Sequence, residues 1–304
     1  MKRKVLSGLL CMVMLFNLTA CNDAVKDTKT NEKEPQAEEN VQKNKGKVLH
    51  SGSYGSTTWT IYENGLLEVK GTGDMYDIYD EDEDEDGIPE WCNHSVSIES
   101  ARIEVSGATN LNGFFKDCAY LTDVDLSKLD TSNVTNMNDM FYDCGSLTSI
   151  DLSNFDTSNV TNMRGMFENC SSLTDIDVSN FDTSNVTSMH GMFDGCSSLT
   201  DIDVSNFDTS NVTSMMNMFC ECSSLTSIDL SNFDASNCTD LGAMSGMISD
   251  CSGLTTIQTP MANSERTCDL PGCPSEYATW IDDYGNTYEI LPTNTFESIT
   301  LTRE

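Results

Sequence analysis

Carboxylates are the side chains that this sequence repeats most regularly, and such groups can hold cations or attract basic partners. Eight aspartates alternate with hydrophobic residues in short segments of strand character: Asp123, Asp125, Asp151, Asp175, Asp177, Asp201, Asp203 and Asp229. Because alternate side chains of a strand point to opposite faces, these carboxylates are predicted to face outward together. A surface of one charge sign favours a protein ligand with a basic surface, mainly by steering its approach. The alternative is a solvated face without a partner.

A second acidic segment, the unbroken run at residues 80–86, resembles a calcium-binding loop in part. Asp82, Asp84, Asp86 and Gly87 match the first, third, fifth and sixth positions of an EF-hand loop. Asn93 stands at the twelfth position, where a glutamate is expected. We therefore interpret the run as a solvated loop that attracts cations loosely, with a Ca²⁺ site as the alternative. No other cofactor is predicted.

The composition argues against catalysis and against nucleic-acid binding. The 304 residues include only three histidines and carry a formal charge of −33. No nucleophile stands beside a base, and the aspartates that could transfer protons are copied from repeat to repeat. A strongly acidic chain is repelled by nucleic acid. We predict a non-catalytic protein.

The positions of these aspartates follow from an internal repeat of 26 residues, best seen at residues 171–196. Two sets of residues mark the period: Cys118, Cys144, Cys170, Cys196 and Cys222, and Asp130, Asp156, Asp182, Asp208 and Asp234. A period of this length is typical of a solenoid, whose units bury their apolar faces only against their neighbours. The predicted fold class is an α/β repeat solenoid.

Each repeat is predicted to place a strand on one side and a short helical or 3₁₀ turn on the other. Nine positions of the unit should point inward: Leu173, Ile176, Val178, Phe181, Val186, Met189, Met192, Phe193 and Cys196. The strands of successive units should form a parallel sheet along the whole array. Asp182 and its counterparts should accept local backbone N–H groups in Asx turns, with Ca²⁺ between repeats as the alternative. The repeated cysteines are expected to pack in the core.

The repeat resembles the BspA-like leucine-rich repeat surface proteins. The resemblance covers residues 105–257 and is carried by Cys-Ser-Ser-Leu at 170–173, Asp-Val-Ser-Asn-Phe-Asp-Thr-Ser-Asn at 177–185 and Met-x-x-Met-Phe at 189–193. It implies an exported surface protein with a leucine-rich-repeat-like fold, serving as an adhesin-like or partner-binding scaffold for a host or matrix protein. A Ca²⁺-responsive or structural envelope protein is the alternative.

The ends of the chain predict export, a membrane anchor and two caps. Residues 1–20 have the basic start and short apolar run of a signal peptide, and Leu18 to Cys21 resembles the lipobox of bacterial lipoproteins, which implies lipid attachment at Cys21. Residues 21–46 are predicted to be a disordered spacer. Residues 47–96 should form a β-rich cap, residues 97–260 the solenoid, and residues 261–304 a second β-rich cap. The expected location is the outer face of a bacterial membrane.

Overall fold

The structure is a computed structural model, and it describes residues 45–75, 88–240, 242–260, 268–269, 280–288, 290–291 and 298–303. These residues all belong to one compact unit, Lys43–Glu304. No helix within the described ranges is long and apolar enough to span a membrane. The predicted signal peptide, Cys21 and most of the predicted spacer lie outside the described residues, as do Asp82, Asp84 and Asp86.

The described chain begins with a five-stranded sheet in the order β1-β2-β3-β4-β5. Its strands are β1 (Val48–Tyr54), β2 (Thr57–Tyr62), β3 (Leu66–Thr72), β4 (Ser100–Ser106) and β5 (Asp123–Leu129). The first two pairings are antiparallel and the last two parallel. A tight turn at residues 63–65 joins β2 to β3, with Gly65 at a φ of 76°. A 3₁₀ helix, Glu90–Ser97, precedes β4.

The repeats stack mainly through one segment of each unit, which we call the turn ribbon. It comprises residues 110–118, 136–144, 162–170, 188–196, 214–222 and 243–251. Alternate residues donate backbone hydrogen bonds to the next repeat, as Gly191 does to Met216 (2.8 Å) and Phe193 to Met218 (2.9 Å). The residues between them close turns on their own repeat, as Met192 does on Met189. The predicted 3₁₀-type turns are therefore present, and they also carry the cross-repeat ladder.

Two positions of each ribbon segment have a positive φ, which few side chains tolerate. The first is Gly113, Asp139, Gly165, Gly191, Asn217 or Gly246, and the second is Asp117, Asp143, Asn169, Gly195, Glu221 or Asp250. Their φ values lie between 52° and 72°. Glycine, asparagine and aspartate adopt this conformation at the least cost, which explains their recurrence at these positions. These two residues prevent the segment from continuing as a helix.

The predicted continuous sheet along the strand side is wrong. Among the described residues, regular strands occur there only at the two ends, at β4 and β5 and at β6 (Ser227–Asp229) and β7 (Thr256–Gln258). In the repeats between them, side chains join neighbouring units instead. Asn180 donates to the carbonyls of Leu152 (3.0 Å) and Phe155 (2.9 Å). Thr157 donates to the Asp182 carbonyl (3.0 Å) and accepts from the Asp182 amide (2.8 Å). On this side of the middle repeats, these side-chain contacts take the place of a regular strand ladder.

The core lies between the two sides of each repeat and confirms the predicted inward set. All nine predicted positions of the unit at 171–196 are at most 5% exposed. Phe141, Phe167, Phe193 and Phe219 stack in one column, with ring centroids 5.6 Å apart and planes within 9° of parallel. The repeated cysteines are buried as predicted, and the Cys196 thiol donates to the Phe167 carbonyl (3.2 Å).

The far end of the array is covered by a second five-stranded sheet in the order β10-β9-β12-β7-β6. Its added strands are β9 (Trp280–Asp282), β10 (Thr287–Tyr288) and β12 (Thr300–Arg303). β9 and β10 pair antiparallel as a hairpin. A short pair, β8 (Cys268–Asp269) and β11 (Ile290–Leu291), forms a separate two-stranded sheet. The sheet that contains β7 covers the apolar end of the array, since Leu301 and Ile257 pair across it and are fully buried.

Candidate partner-binding surface

The eight aspartates of the predicted binding surface are all exposed and lie on the strand side of the array. We call them the aspartate face: Asp123, Asp125, Asp151, Asp175, Asp177, Asp201, Asp203 and Asp229. Within a repeat, Asp175 and Asp177 flank the buried Ile176. The prediction that these side chains alternate with core residues is therefore confirmed, although regular strands are absent from the middle repeats.

Five members of the face also have a structural role that the sequence analysis missed. Asp125, Asp151, Asp177, Asp203 and Asp229 each accept the backbone N–H of the serine two residues later, at 2.9–3.1 Å. Hydrogen bonds from these serines lower the pKa of Asp177 and Asp203 below the ordinary value. These carboxylates are therefore ionised and held in a fixed orientation, whereas Asp175 and Asp201 on the same repeats lie beside them without this turn.

A second row of Asx turns runs along the next corner of each repeat, as predicted. Asp182 Oδ1 accepts the Ser184 amide (3.0 Å) and its hydroxyl (2.6 Å). Beside it, Asn185 donates to the Ser158 carbonyl of the preceding repeat (2.7 Å), which confirms that this asparagine bonds neighbouring backbone. The same pair of contacts recurs at Asp156 and Asn159. The turns satisfy local backbone donors and keep a row of carboxylates in register.

Basic side chains are concentrated at the first repeat. The negative charges of the aspartate face in the later repeats therefore have few nearby positive charges to balance them. Arg102 and Lys128 lie near Asp125, whose pKa they lower in addition to the hydrogen bonds from Ser127. Lys128 is ion-paired with Glu104 at 2.8 Å. Between residues 129 and 260 the sequence contains a single lysine or arginine, Arg164, which lies on the turn ribbon. The aspartate face of the middle repeats is therefore a surface of uniform negative charge.

The turn ribbon carries a second group of acids, which sequence reasoning did not single out. Burial and the nearby Asp194 and Asp139 raise the pKa of Glu168 to about 7. Burial and the nearby Glu221 raise the pKa of Asp194 to about 6. Glu168 lies over Gly191, where an added Cβ would meet its Oε2 at 2.9 Å. Gly191 is the feature of the sequence that could have indicated this acid, since any larger residue at that position would displace the Glu168 carboxyl group.

Metal binding has no support among the described residues. No group of three or more histidine, cysteine, aspartate or glutamate side chains in those ranges could hold an ion. Burial raises the thiol pKa of Cys170 to about 12, as expected for a packed core residue. The proposed loop ligands Asp82, Asp84 and Asp86 lie in the part of the chain that is not described, so that site stays a prediction.

The stacked repeats coincide with the region recognised by a family model. The model described as "Mycoplasma protein of unknown function, DUF285" matches residues 91–176 and again residues 170–257. The chain belongs to this DUF285 family. The two matches together cover the array from the 3₁₀ helix to β7. No curated protein matches the chain.

Two solved structures are similar to this DUF285 chain at low identity. One is a leucine-rich cell surface protein from Faecalibacterium prausnitzii, with 17% identity and a TM-score of 0.34. The comparison covers 79% of this chain and 60% of that protein. The other is a leucine-rich repeat protein from Eubacterium ventriosum, with 16% identity and a TM-score of 0.23, covering 70% of this chain and 86% of that one.

Proposed function

We propose that this chain is a non-catalytic, lipid-anchored cell-surface protein whose aspartate face binds a protein with a basic surface. The observation that carries the proposal is the uniform charge of this face over the repeats that contain Asp175, Asp177, Asp201 and Asp203. Stacked repeats bring carboxylates of successive units close together, since equivalent core rings of successive repeats are 5.6 Å apart. The resulting field accelerates the approach of a basic partner and repels an acidic one.

The anchoring part of the proposal is supported by the sequence. The lipobox resemblance at Leu18 to Cys21 predicts acylation of Cys21, and the BspA-like pattern of the repeats implies an exported surface protein. Acyl chains contribute about 0.8 kcal/mol per buried CH₂, so a multiply acylated cysteine holds a protein stably on a membrane. The array would then face the medium, where an adhesin-like scaffold meets its partners.

The binding part is tested with two variants that remove the same number of charges from different sides. The face variant carries Asp175→Asn, Asp177→Asn, Asp201→Asn and Asp203→Asn, because asparagine keeps the oxygen that accepts the serine amides. The ribbon variant carries the following changes: Asp117→Asn, Asp143→Asn, Glu221→Gln and Asp250→Asn. These four residues have positive φ, which asparagine, introduced at three of the positions, tolerates well.

The assay is capture of proteins from an extracellular matrix extract by the immobilised full chain, followed by binding kinetics with each captured protein. We expect a basic protein whose binding weakens about tenfold or more in the face variant, chiefly through slower association, and is unchanged in the ribbon variant. Equal losses in both variants would mean that net charge alone matters. Binding that survives in the face variant would place the site elsewhere.

A further inference from the structure

The first strand of the N-terminal sheet is paired along one side only. β1 is the outermost strand of its sheet and pairs only with β2 in the strand order. Six of its seven residues are exposed, and its register shifts between Val48 and His50. β2, in contrast, buries Thr57, Trp59 and Ile61. β1 therefore covers the edge of a well-packed strand while burying little surface of its own.

Two of the three histidines in the chain meet where β1 crosses the 3₁₀ helix. The rings of His50 on β1 and His94 on the helix are stacked, with centroids 3.7 Å apart and planes 11° from parallel. Trp59 of β2 lies behind them, with its ring centroid 6.1 Å from that of His94. His94 also marks a kink in the helix, with φ of −121° and ψ of 17°. The stacked pair joins β1 to both neighbouring elements.

Close packing at Gly52 makes the second attachment of β1. A Cβ at this position would lie 2.6 Å from the Trp59 indole nitrogen and 2.6 Å from a Glu90 carboxylate oxygen. Contacts of that length are not tolerated, so only glycine lets β1 lie this close to β2 and the helix. Two features therefore hold the strand: the stacked histidine rings, and the close approach of the Gly52 backbone to Trp59 and Glu90. Any atom added at Gly52 would break the second.

Protonation acts directly on this attachment. Neutral imidazole rings stack favourably, but two imidazolium rings at this separation repel each other. Burial and the facing His50 lower the pKa of His94, and Glu90 on the same helix raises it in part. The third element at the contact, β2, presents the uncharged Trp59. Because the folded pKa of His94 lies below its ordinary value, its contribution to stability is present above about pH 6.5 and is lost as the pH falls below that value.

We propose that β1 is a pH-sensitive strap: in acidic solution, positive charge on the stacked rings of His50 and His94 loosens it from β2 and the 3₁₀ helix. The loosened strap uncovers the edge of β2, with its unpaired backbone groups and the Trp59 indole. An open strand edge of this kind pairs readily with another extended segment. This inference is independent of the binding role proposed for the aspartate face.

The test is hydrogen–deuterium exchange of the full chain at pH 7.5 and pH 5.0, with rates corrected for the intrinsic pH dependence of exchange. In the unmodified protein, we expect amides of β1 and β2 to exchange measurably faster at pH 5.0 than at pH 7.5, because the strap opens more often. The repeats at residues 134–222 should not share this acceleration.

Four variants decide the cause. His50→Phe and His94→Phe keep an aromatic ring without a charge and should remove the pH effect, whereas His190→Phe, on the turn ribbon, should retain it. Because His50 is exposed, its replacement does not threaten the core. Gly52→Ala should open the strap at both pH values. The proposal is overturned if the unmodified protein shows no selective acceleration, if His50→Phe retains it, or if Gly52→Ala leaves β1 fully protected.

Discussion

The phenylalanine column provides a quantitative test of how the repeats stabilise each other. Phe193 is fully buried and stacks on Phe167 and Phe219, with both centroid distances 5.6 Å. Phe219 stacks on Phe193 alone, because the corresponding residue of the last repeat is Ile248. An aromatic pair contributes about 0.5–1.5 kcal/mol beyond the area that it buries.

Replacing either phenylalanine with leucine removes a similar apolar area but a different number of ring pairs. Phe193→Leu loses two pairs and Phe219→Leu loses one. We therefore expect Phe193→Leu to lower the free energy of unfolding by about 1 kcal/mol more than Phe219→Leu. This difference is more reliable than either absolute value, since the transfer and cavity contributions largely cancel.

The assay is urea denaturation followed by both far-ultraviolet circular dichroism and tryptophan fluorescence. The three tryptophans, Trp59, Trp91 and Trp280, lie in the end sheets and the 3₁₀ helix, so coincident curves establish one cooperative transition. If Phe219→Leu costs as much as Phe193→Leu, the stacked rings do not couple neighbouring repeats. The column would then be ordinary core packing.

Three further predictions test the turns, the ribbon acids and the buried thiols. Asp182→Ala should lower the free energy of unfolding by about 1 kcal/mol in urea denaturation, whereas Asp182→Asn, which keeps the Asx turn, should change it by less than half as much; equal losses would contradict the turn. Because the folded pKa values of Glu168 (about 7) and Asp194 (about 6) lie above their ordinary values, the native state holds more protons. The stability that these two groups contribute should be complete below about pH 4 and decline as the pH rises to about 7.5. Thermal melts across this range should show the decline in the unmodified protein and lose it in a variant that combines Glu168→Gln with Asp194→Asn. An unchanged pH profile in that variant would refute the prediction. Cys196 should resist iodoacetamide in the native chain and react in concentrated urea, as measured by mass spectrometry; rapid native labelling would show that its burial is wrong.

The inward residues and the Asx turns could be predicted from the sequence because their causes are local. Ile176 and Val178 alternate with charged residues, and Met189, Met192 and Phe193 follow the spacing of a turn, so burial follows from periodicity. Asp182 is followed by Thr-Ser-Asn, a combination that favours an Asx turn. Both predictions are confirmed.

The location of the cross-repeat ladder could not be predicted from hydrophobic periodicity. A strand pattern around Ile176 indicated a sheet there, but neighbouring units are joined on that side by side-chain contacts such as those of Asn180 and Thr157. The ladder lies on the turn ribbon instead, where Gly191 and Gly195 adopt positive φ. The feature of the sequence that indicates the ladder is the pair of positions in each repeat that glycine, asparagine or aspartate usually occupies. Their role becomes clear only when the repeats are stacked.

The sequence predicted which aspartates lie on the candidate surface, but it did not predict the hydrogen bonds and neighbours of each acidic group. Asp175 and Asp177 looked equivalent as outward residues, yet only Asp177 closes a turn on Ser179. The half-buried Glu168 and the stacked pair of His50 and His94 depend on contacts between residues far apart in the sequence. Such contacts arise only when the repeats and the end sheet are assembled.

Carboxylate footprinting tests the central claim, that the aspartate face is the binding surface, most directly. A carbodiimide and an amine label exposed carboxyl groups on the full chain, alone and in complex with a basic protein captured by it, and mass spectrometry locates each label. The account predicts that the complex protects Asp175, Asp177, Asp201 and Asp203, while Asp143 on the turn ribbon is labelled equally with and without the partner. Protection of Asp143 with undiminished labelling of the four face aspartates would contradict it.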